Sequence, residues 1–382
     1  MSMSSQERPP VVTVTGGFLR SVENQVATIR ALGFDLQIKI FQPAAPHSQL
    51  PLLILVENIR GSDVVIEPQG GVVSNLIRSP TAVMFEVTGG SFRKIRITDP
   101  APAEEFDFLL VGDTHGVVDN LQRVIAAANL LSPRFILANG DLTHSGRAED
   151  YQTLAELFGA AHMPVFTSIG NHDKRSRGSR ATYRKHLAPL YYAFECGNVK
   201  FIVLDSSRKR GLQKFQYAWL ERELRAAQGK RIFVCLHRPP VCPKYNYLAF
   251  SVTANAKRFL TMMETYGVEL VLNSHIHVLT EFVRQNVRYV VTGGGGGALW
   301  RPENIHHYLH VFVKKAGVEF EVIELPTPDA KISQRLKDAI KFNVEFHLNK
   351  TKRLRQAVLL GTTLLLSRTL RPERRQRWRR KK

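Results

Sequence analysis

The sequence predicts an α/β chain: a small β-sandwich-like domain, then a domain of apolar strands and crossover helices, then a basic extension. From Glu104 onward, apolar runs of five or six residues alternate with helical stretches, the pattern of a sheet with crossover helices. Residues 1–103 instead carry short strand-like runs divided by turn residues. The charge marks the other end: 53 Lys and Arg against 33 Asp and Glu give +20, and twelve of those net charges fall between Lys350 and Lys382.

Within residues 1–103 the strand-like runs begin near Val11, Leu36, Leu52, Ala82 and Arg93, with turns at Gly61-Ser62-Asp63 and Gly70-Gly71. Ser21 to Leu32 also fits one helix. Residues 104–326 hold the runs FLLV, FILA, VFTSI, FIVL, IFVCL, VELVL and YVVT, with helices predicted at 117–131, 148–160, 213–228 and 254–266. YLHVFV and VEFEVIEL close that domain near Leu325. Residues 327–382 form the extension.

At 382 residues and 44% hydrophobic, the chain can bury a large core, which excludes wholesale disorder. Cys196, Cys235 and Cys242 are too few for a disulfide framework and lack zinc-type pairing, so a reducing compartment is expected. The start, MSMSSQERPP, has no secretory pattern. The expected location is cytoplasmic, either free or peripheral at a membrane. In the extension, the uncharged stretch Gln356 to Ser367 would be about 18 Å long as a helix, short of a bilayer core of roughly 30 Å. Its basic flanks suit an anionic membrane surface first and nucleic acid second.

Chemistry-bearing residues recur at the carboxyl ends of five apolar runs, where open α/β sheets bind ligands. FLLVG leads into Asp113-Thr114-His115, FILAN into Gly140-Asp141, and VFTSI into Gly170-Asn171-His172-Asp173. IFVCL meets His237, and VELVLN meets Ser274-His275-Ile276-His277. An i, i+2 spacing in extended chain points both side chains of a pair the same way.

These blocks resemble, in order, those of the calcineurin-like metallophosphoesterase family, which includes purple acid phosphatases and class III phosphodiesterases. The resemblance implies a layered α/β/β/α core and a dinuclear metal centre. Asp113, His115 and His277 would hold one metal, Asn171, His237 and His275 the other, and Asp141 would bridge them. The donor set suits two divalent transition metal ions, Mn, Fe, Zn or Co. Two such ions activate a water and relieve phosphoryl charge, so the expected reaction is hydrolysis of a phosphomonoester, phosphodiester or pyrophosphate. A nuclease using the basic tail, a lipid phosphate or pyrophosphate hydrolase at a membrane, and a non-catalytic scaffold are the competing readings.

His172 and Asp141 are the expected catalytic residues, with His172 and Arg175 at the substrate. Asp173 is expected to orient its neighbours. Ser274 stands where the family usually has glycine, so a strained backbone there would be costly. The five glycines Gly293 to Gly297 fit close backbone approach better than a phosphate loop. Lys174 to Lys185, with six basic residues, reads as a solvated loop, or as a clamp for an anionic substrate. His144, His306 and His307 are given no role.

Overall fold

The computed structural model describes residues 10–42, 51–100, 104–299 and 304–328. The basic extension beyond Pro328, with its apolar stretch, lies outside the described residues. No described helix is long and apolar enough to cross a membrane.

Seven strands come first: β1 (Val11–Thr15), β2 (Gly17–Glu23), β3 (Val26–Ala31), β4 (Asp35–Phe41), β5 (Leu52–Glu57), β6 (Val65–Arg78) and β7 (Ala82–Thr98). They form one hydrogen-bonded sheet in the order β1-β4-β7-β5-β3-β2, with β6 on the free side of β7. Strand β7 serves two halves, pairing β5 over Ala82–Val87 and β4 over Phe92–Thr98. Between the halves it crosses β6 at glycines: a Cβ on Gly89 would lie 2.8 Å from the Gly71 Cα, so only glycine lets the hairpin bend there. Ile38 and Ile95 of one half and Ile29, Ile54 and Phe85 of the other meet in one buried cluster. The two halves therefore pack as a sandwich does.

The helix that fits Ser21 to Leu32 does not form. Asn24 and Gln25 take φ of 50° and 60° between paired Glu23 and Val26, making a two-residue hairpin turn. The alternation of Ala27, Ile29 and Ala31 then buries one face, which only a strand does.

The remaining elements are β8 (Phe106–Val111), α1 (Val118–Leu131), β9 (Phe135–Asn139), α2 (Ala148–Gly159), β10 (Val165–Ser168), α3 (Ser179–His186), β11 (Tyr192–Cys196), β12 (Val199–Leu204), α4 (Lys214–Ala226), β13 (Arg231–Leu236), α5 (Thr253–Thr265), β14 (Leu270–Asn273), β15 (Leu279–Arg284), β16 (Val287–Thr292), β17 (His306–Lys314) and β18 (Gly317–Leu325). They build two sheets, ordered β10-β9-β8-β17-β18 and β11-β12-β13-β14-β16-β15. Alternation along the strands explains the layers. Phe201, Val203, Phe233 and Cys235 face the first sheet's Phe108 and Phe135 in one cluster. Their neighbours Ile202, Leu204, Val234 and Leu236 face the other way, against Leu220 and Leu224 of α4 and Phe259 and Met263 of α5. Helix α1 covers the first sheet through Leu121, Val124 and Ala128. Being covered on both faces, these parallel strands read as unbroken apolar runs rather than alternating ones.

The sandwich is stitched to this core. Phe34 packs edge-on against Phe166 and Phe194, with the Arg134 guanidinium 4.3 Å from its ring. Arg134 also pairs with Asp99 at 2.8 Å. Buried Asn58 accepts from the Val165 amide at 2.7 Å and donates to Ala31 O, joining β10 to β3. Strands β8, β9 and β10 run parallel, as do β12, β13, β14 and β16, so their carboxyl ends open on the functional loops. Asn139 ties the two sheets there, its amide donating to Leu236 O and Leu272 O.

Candidate metal centre

The five loops converge. Ligating atoms of Asp113, His115 and His277 lie within 4.8 Å of one another, and so do those of Asp141, His237 and His275. Asp141 stands between the groups: its Oδ2 is 3.2 Å from His237 Nε2, 3.6 Å from His115 Nε2 and 3.9 Å from His172 Nε2. Asp113 Oδ1 is 3.3 Å from His277 Nε2. Asn171 lies at the second group, its Oδ1 accepting from Arg238 Nη2 at 3.1 Å.

The i, i+2 pairs meet for a reason other than strand alternation. Asp113, His115, Asp141 and His275 all have left-handed backbones, with φ of 58°, 50°, 48° and 71°. That conformation costs energy in non-glycine residues and clusters at functional sites. Interlocking loop bonds hold it: Asp113 N donates to Gly140 O, His115 N to Asp141 O, and His275 N to Asp113 Oδ2 at 2.7 Å. Ser274 escapes the expected strain because its own φ is not left-handed; the turn falls on His275. Its side chain fills space left by Gly112, where a Cβ would lie 2.1 Å from Ser274 Oγ.

Gly293 to Gly297 run along the same edge. A Cβ on Gly293 would meet Asp113 Oδ2 at 2.8 Å, and one on Gly297 would meet His277 Cε1 at 2.4 Å. Close backbone approach, not a phosphate loop, accounts for these glycines.

Backbone carbonyls orient the imidazoles. His277 Nδ1 donates to Ala298 O at 2.6 Å and His237 Nδ1 to Asn139 O at 3.3 Å, leaving each Nε2 turned to a carboxylate. His172 Nδ1 donates to His144 O at 3.1 Å, and its Nε2 accepts from Arg175 Nη2 at 2.6 Å. The predicted substrate pair is thus in contact. His172 N also donates to Asp141 Oδ1 at 2.7 Å.

Charge balance inside the site is unusual. Burial disfavours ionised Asp113 and Asp141, yet the facing imidazoles, His237 foremost, hold both carboxyls below the usual range. Burial likewise opposes charge on His237, and Asp141 and Asp113 outweigh it, holding the ring up to about 9. His275 is pushed well below its ordinary value by burial and Arg238. Burial and His115 pull His172 down to about 3, so its ring is neutral. Four buried atoms here, Asp113 Oδ1, His115 Nε2, His237 Nε2 and His275 Nδ1, make no hydrogen bond among the described residues. Two buried carboxylates with unbonded nitrogen and oxygen donors around them fit divalent transition metals.

Asp173 orients its surroundings as expected. Fully buried, it accepts from Gly170 N, Thr143 N, Leu142 N and Thr143 Oγ1 at 2.8–3.2 Å, bracing the Asp141 loop against the Asn171 loop. Burial and Asp141 push its carboxyl up to about 6. Asp173→Ala leaves three buried amides without an acceptor, each worth roughly 1–3 kcal/mol. A loss of about 3 kcal/mol or more is expected in urea unfolding; a loss below about 1 kcal/mol would contradict the bracing role.

The Lys174–Lys185 segment is only partly a solvated loop. Its second half enters α3, anchored by buried Tyr183, whose hydroxyl meets Thr167 Oγ1 at 2.8 Å. Arg238 and His144 were missing from the expected site. Arg238 directly follows His237 and its guanidinium reaches His275 Nε2. The adjacency to a motif histidine was the available signal. His144 belongs to no motif, yet its ring nitrogen lies within 4.8 Å of those of His115 and His172.

Residues 106–279 match the calcineurin-like phosphoesterase family. This segment belongs to that family. The phosphoesterase segment has curated relatives. A 3′,5′-cyclic-nucleotide phosphodiesterase of Nostoc sp. is 28% identical over 41% of this chain and 60% of its own length. The glycerophosphodiester phosphodiesterase GpdQ of Enterobacter lignolyticus is 27% identical over 39% of this chain and 57% of its own. The chain thus spans under two thirds of either relative. Among solved structures, a dimetal phosphatase from Danio rerio is similar with a TM-score of 0.47 at 14% identity, covering 58% of this chain and 99% of that one.

Proposed function

We propose that the protein is a metal-dependent phosphoesterase that hydrolyses phosphodiester-type bonds. The observation that carries this reading is the pair of ligand groups with Asp141 Oδ2 3.2 Å from His237 of one and 3.6 Å from His115 of the other, and with four buried donor atoms making no hydrogen bond among the described residues. The names of the two curated relatives support diesters over monoesters.

In this reading Asp113, His115 and His277 would hold one divalent ion and Asn171, His237 and His275 the other, with Asp141 as a ligand common to both. The ions would supply a low-pKa water and positive charge for the phosphoryl oxygens. The remaining work falls to side chains. His172 is aimed by its Nδ1 bond to His144 O, so Nε2 faces the centre and Arg175. Burial keeps the ring neutral in the free protein. A phosphate anion against Nε2 offsets that burial and favours the protonated ring, which then gives its proton to the leaving oxygen. Arg175 presents its fork to the same oxygens.

The test is metal analysis of the purified chain with hydrolysis of bis(p-nitrophenyl) phosphate and p-nitrophenyl phosphate. Two divalent ions per chain and a higher kcat/KM for the diester are expected, with activity lost to a chelator and restored by manganese. Turnover that survives complete metal removal would sink the reading.

A further inference from the structure

One wall of the site carries more positive charge than its neighbours balance. Lys174 follows the Asn171 loop, Arg180 lies in α3, Arg208 follows β12 and Arg238 follows β13. Asp205 is the acid in this group, and it is engaged: its Oδ2 is 2.7 Å from Arg180 Nη1, while its Oδ1 accepts from Ser207. Arg180 Nη2 adds a bond to Ser207 Oγ at 2.9 Å. Asp205 is thus taken up by Arg180, and Arg238 lies in the field of Asp141 and Asp113.

One of these cations is poorly provided for. Lys174 is partly buried, and its Nζ makes no hydrogen bond or ion pair among the described residues. Burial, then Arg180, with Arg208 and Arg238 adding to it and Asp205 opposing, pulls it down to about 8. Arg238, only 8% exposed, is held by its Nη1 bond to Leu248 O at 2.7 Å, while its Nε makes no hydrogen bond among the described residues. A partly buried ammonium without an acceptor weakens a fold, and an anion entering beside it relieves the cost. The wall adjoins the metal centre, because Arg238 Nη2 is 3.1 Å from Asn171 Oδ1. Planar guanidinium forks of this kind match phosphate oxygens two at a time.

We propose that Lys174, Arg180, Arg208 and Arg238 form a second anion subsite that holds a phosphoryl group next to the one being cleaved. The substrate class is then a phosphoanhydride diester, with two linked phosphoryl groups, rather than an isolated phosphodiester. This rests on the phosphoesterase reading above. In the reaction, water's oxygen bonds to the phosphorus at the metal centre and the bridging oxygen keeps the electron pair of the broken P–O bond. Two phosphate monoesters leave, with water's two protons shared between them and solvent.

The test titrates the full-length, manganese-loaded protein with methylenediphosphonate, a non-hydrolysable pair of linked phosphoryl groups, and with inorganic phosphate. The wild type is expected to prefer the diphosphonate by about tenfold or more. Lys174→Met and Arg208→Ala should each shrink that preference to about threefold or less, and Lys174→Arg should restore most of it. Their affinity for phosphate should stay within about twofold of wild type, which also shows that they fold. Equal wild-type affinity for the two ligands, or a preference unchanged in both variants, overturns the subsite. Hydrolysis of bis(p-nitrophenyl) phosphate is read separately. If it is absent while the binding preference stands, the phosphoesterase reading fails and the subsite does not.

Discussion

Asp141→Ala is expected to lose both metal ions and all but a trace of turnover. Among the described residues, Asp141 Oδ2 is the carboxylate oxygen that lies within 3.6 Å of both His237 and His115. Removing a group that merely supports a ligand typically costs 10–100-fold in metal affinity or activity, so a loss on the order of a thousandfold or more is expected here. The same substitution takes the acceptor from His172 N and leaves a raised His237 without its main counter-charge, so the loop should loosen as well. Metal content by mass spectrometry and turnover of the diester should fall together. Retention of two ions per chain would refute the shared-ligand assignment.

His172→Ala separates binding from chemistry. Its ring nitrogens meet His144 O and Arg175 rather than either ligand group's unbonded atoms, so both ions should stay. Turnover should nonetheless drop about 10²–10⁴-fold, the usual contribution of a positioned acid or base. The loss should appear in kcat more than in KM, because proton donation to the leaving oxygen belongs to the transition state. A substrate with a leaving group of low pKa, such as p-nitrophenolate, needs that proton least and should suffer the smaller loss. Equal losses for good and poor leaving groups would leave only charge stabilisation for His172. Loss of metal without loss of rate would contradict both roles.

Much of this was legible in the chain because parallel strands covered on both faces must be apolar throughout. FILAN and IFVCL stand out for that reason, and the four predicted helices lie within a few residues of α1, α2, α4 and α5. The ligand blocks were legible because each follows such a run directly. The N-terminal sheet was harder. Its strands are half-covered, β6 is largely exposed, and the β2–β3 turn uses Asn24 and Gln25 in a conformation that their types permit but do not announce. Arg238 and Lys174 were illegible as a pair because 64 residues separate them, and only the packing of two loops brings their charges to bear on each other.

The sequence alone determined the kind of chemistry: the residue types at five strand ends, their order, and the alternation that stacks two sheets between helices. It also confined the excess charge to a terminal stretch, so that most of the +20 needs no part in the site. Tertiary structure decided how the ligands meet. Strand alternation would have pointed Asp113 and His115 the same way, but left-handed turns at Asp113, His115, Asp141 and His275 aim them instead. Local preference opposes those turns, so they persist only where bonds between distant loops and five close-packed glycines hold them. No short-range pattern could have shown that.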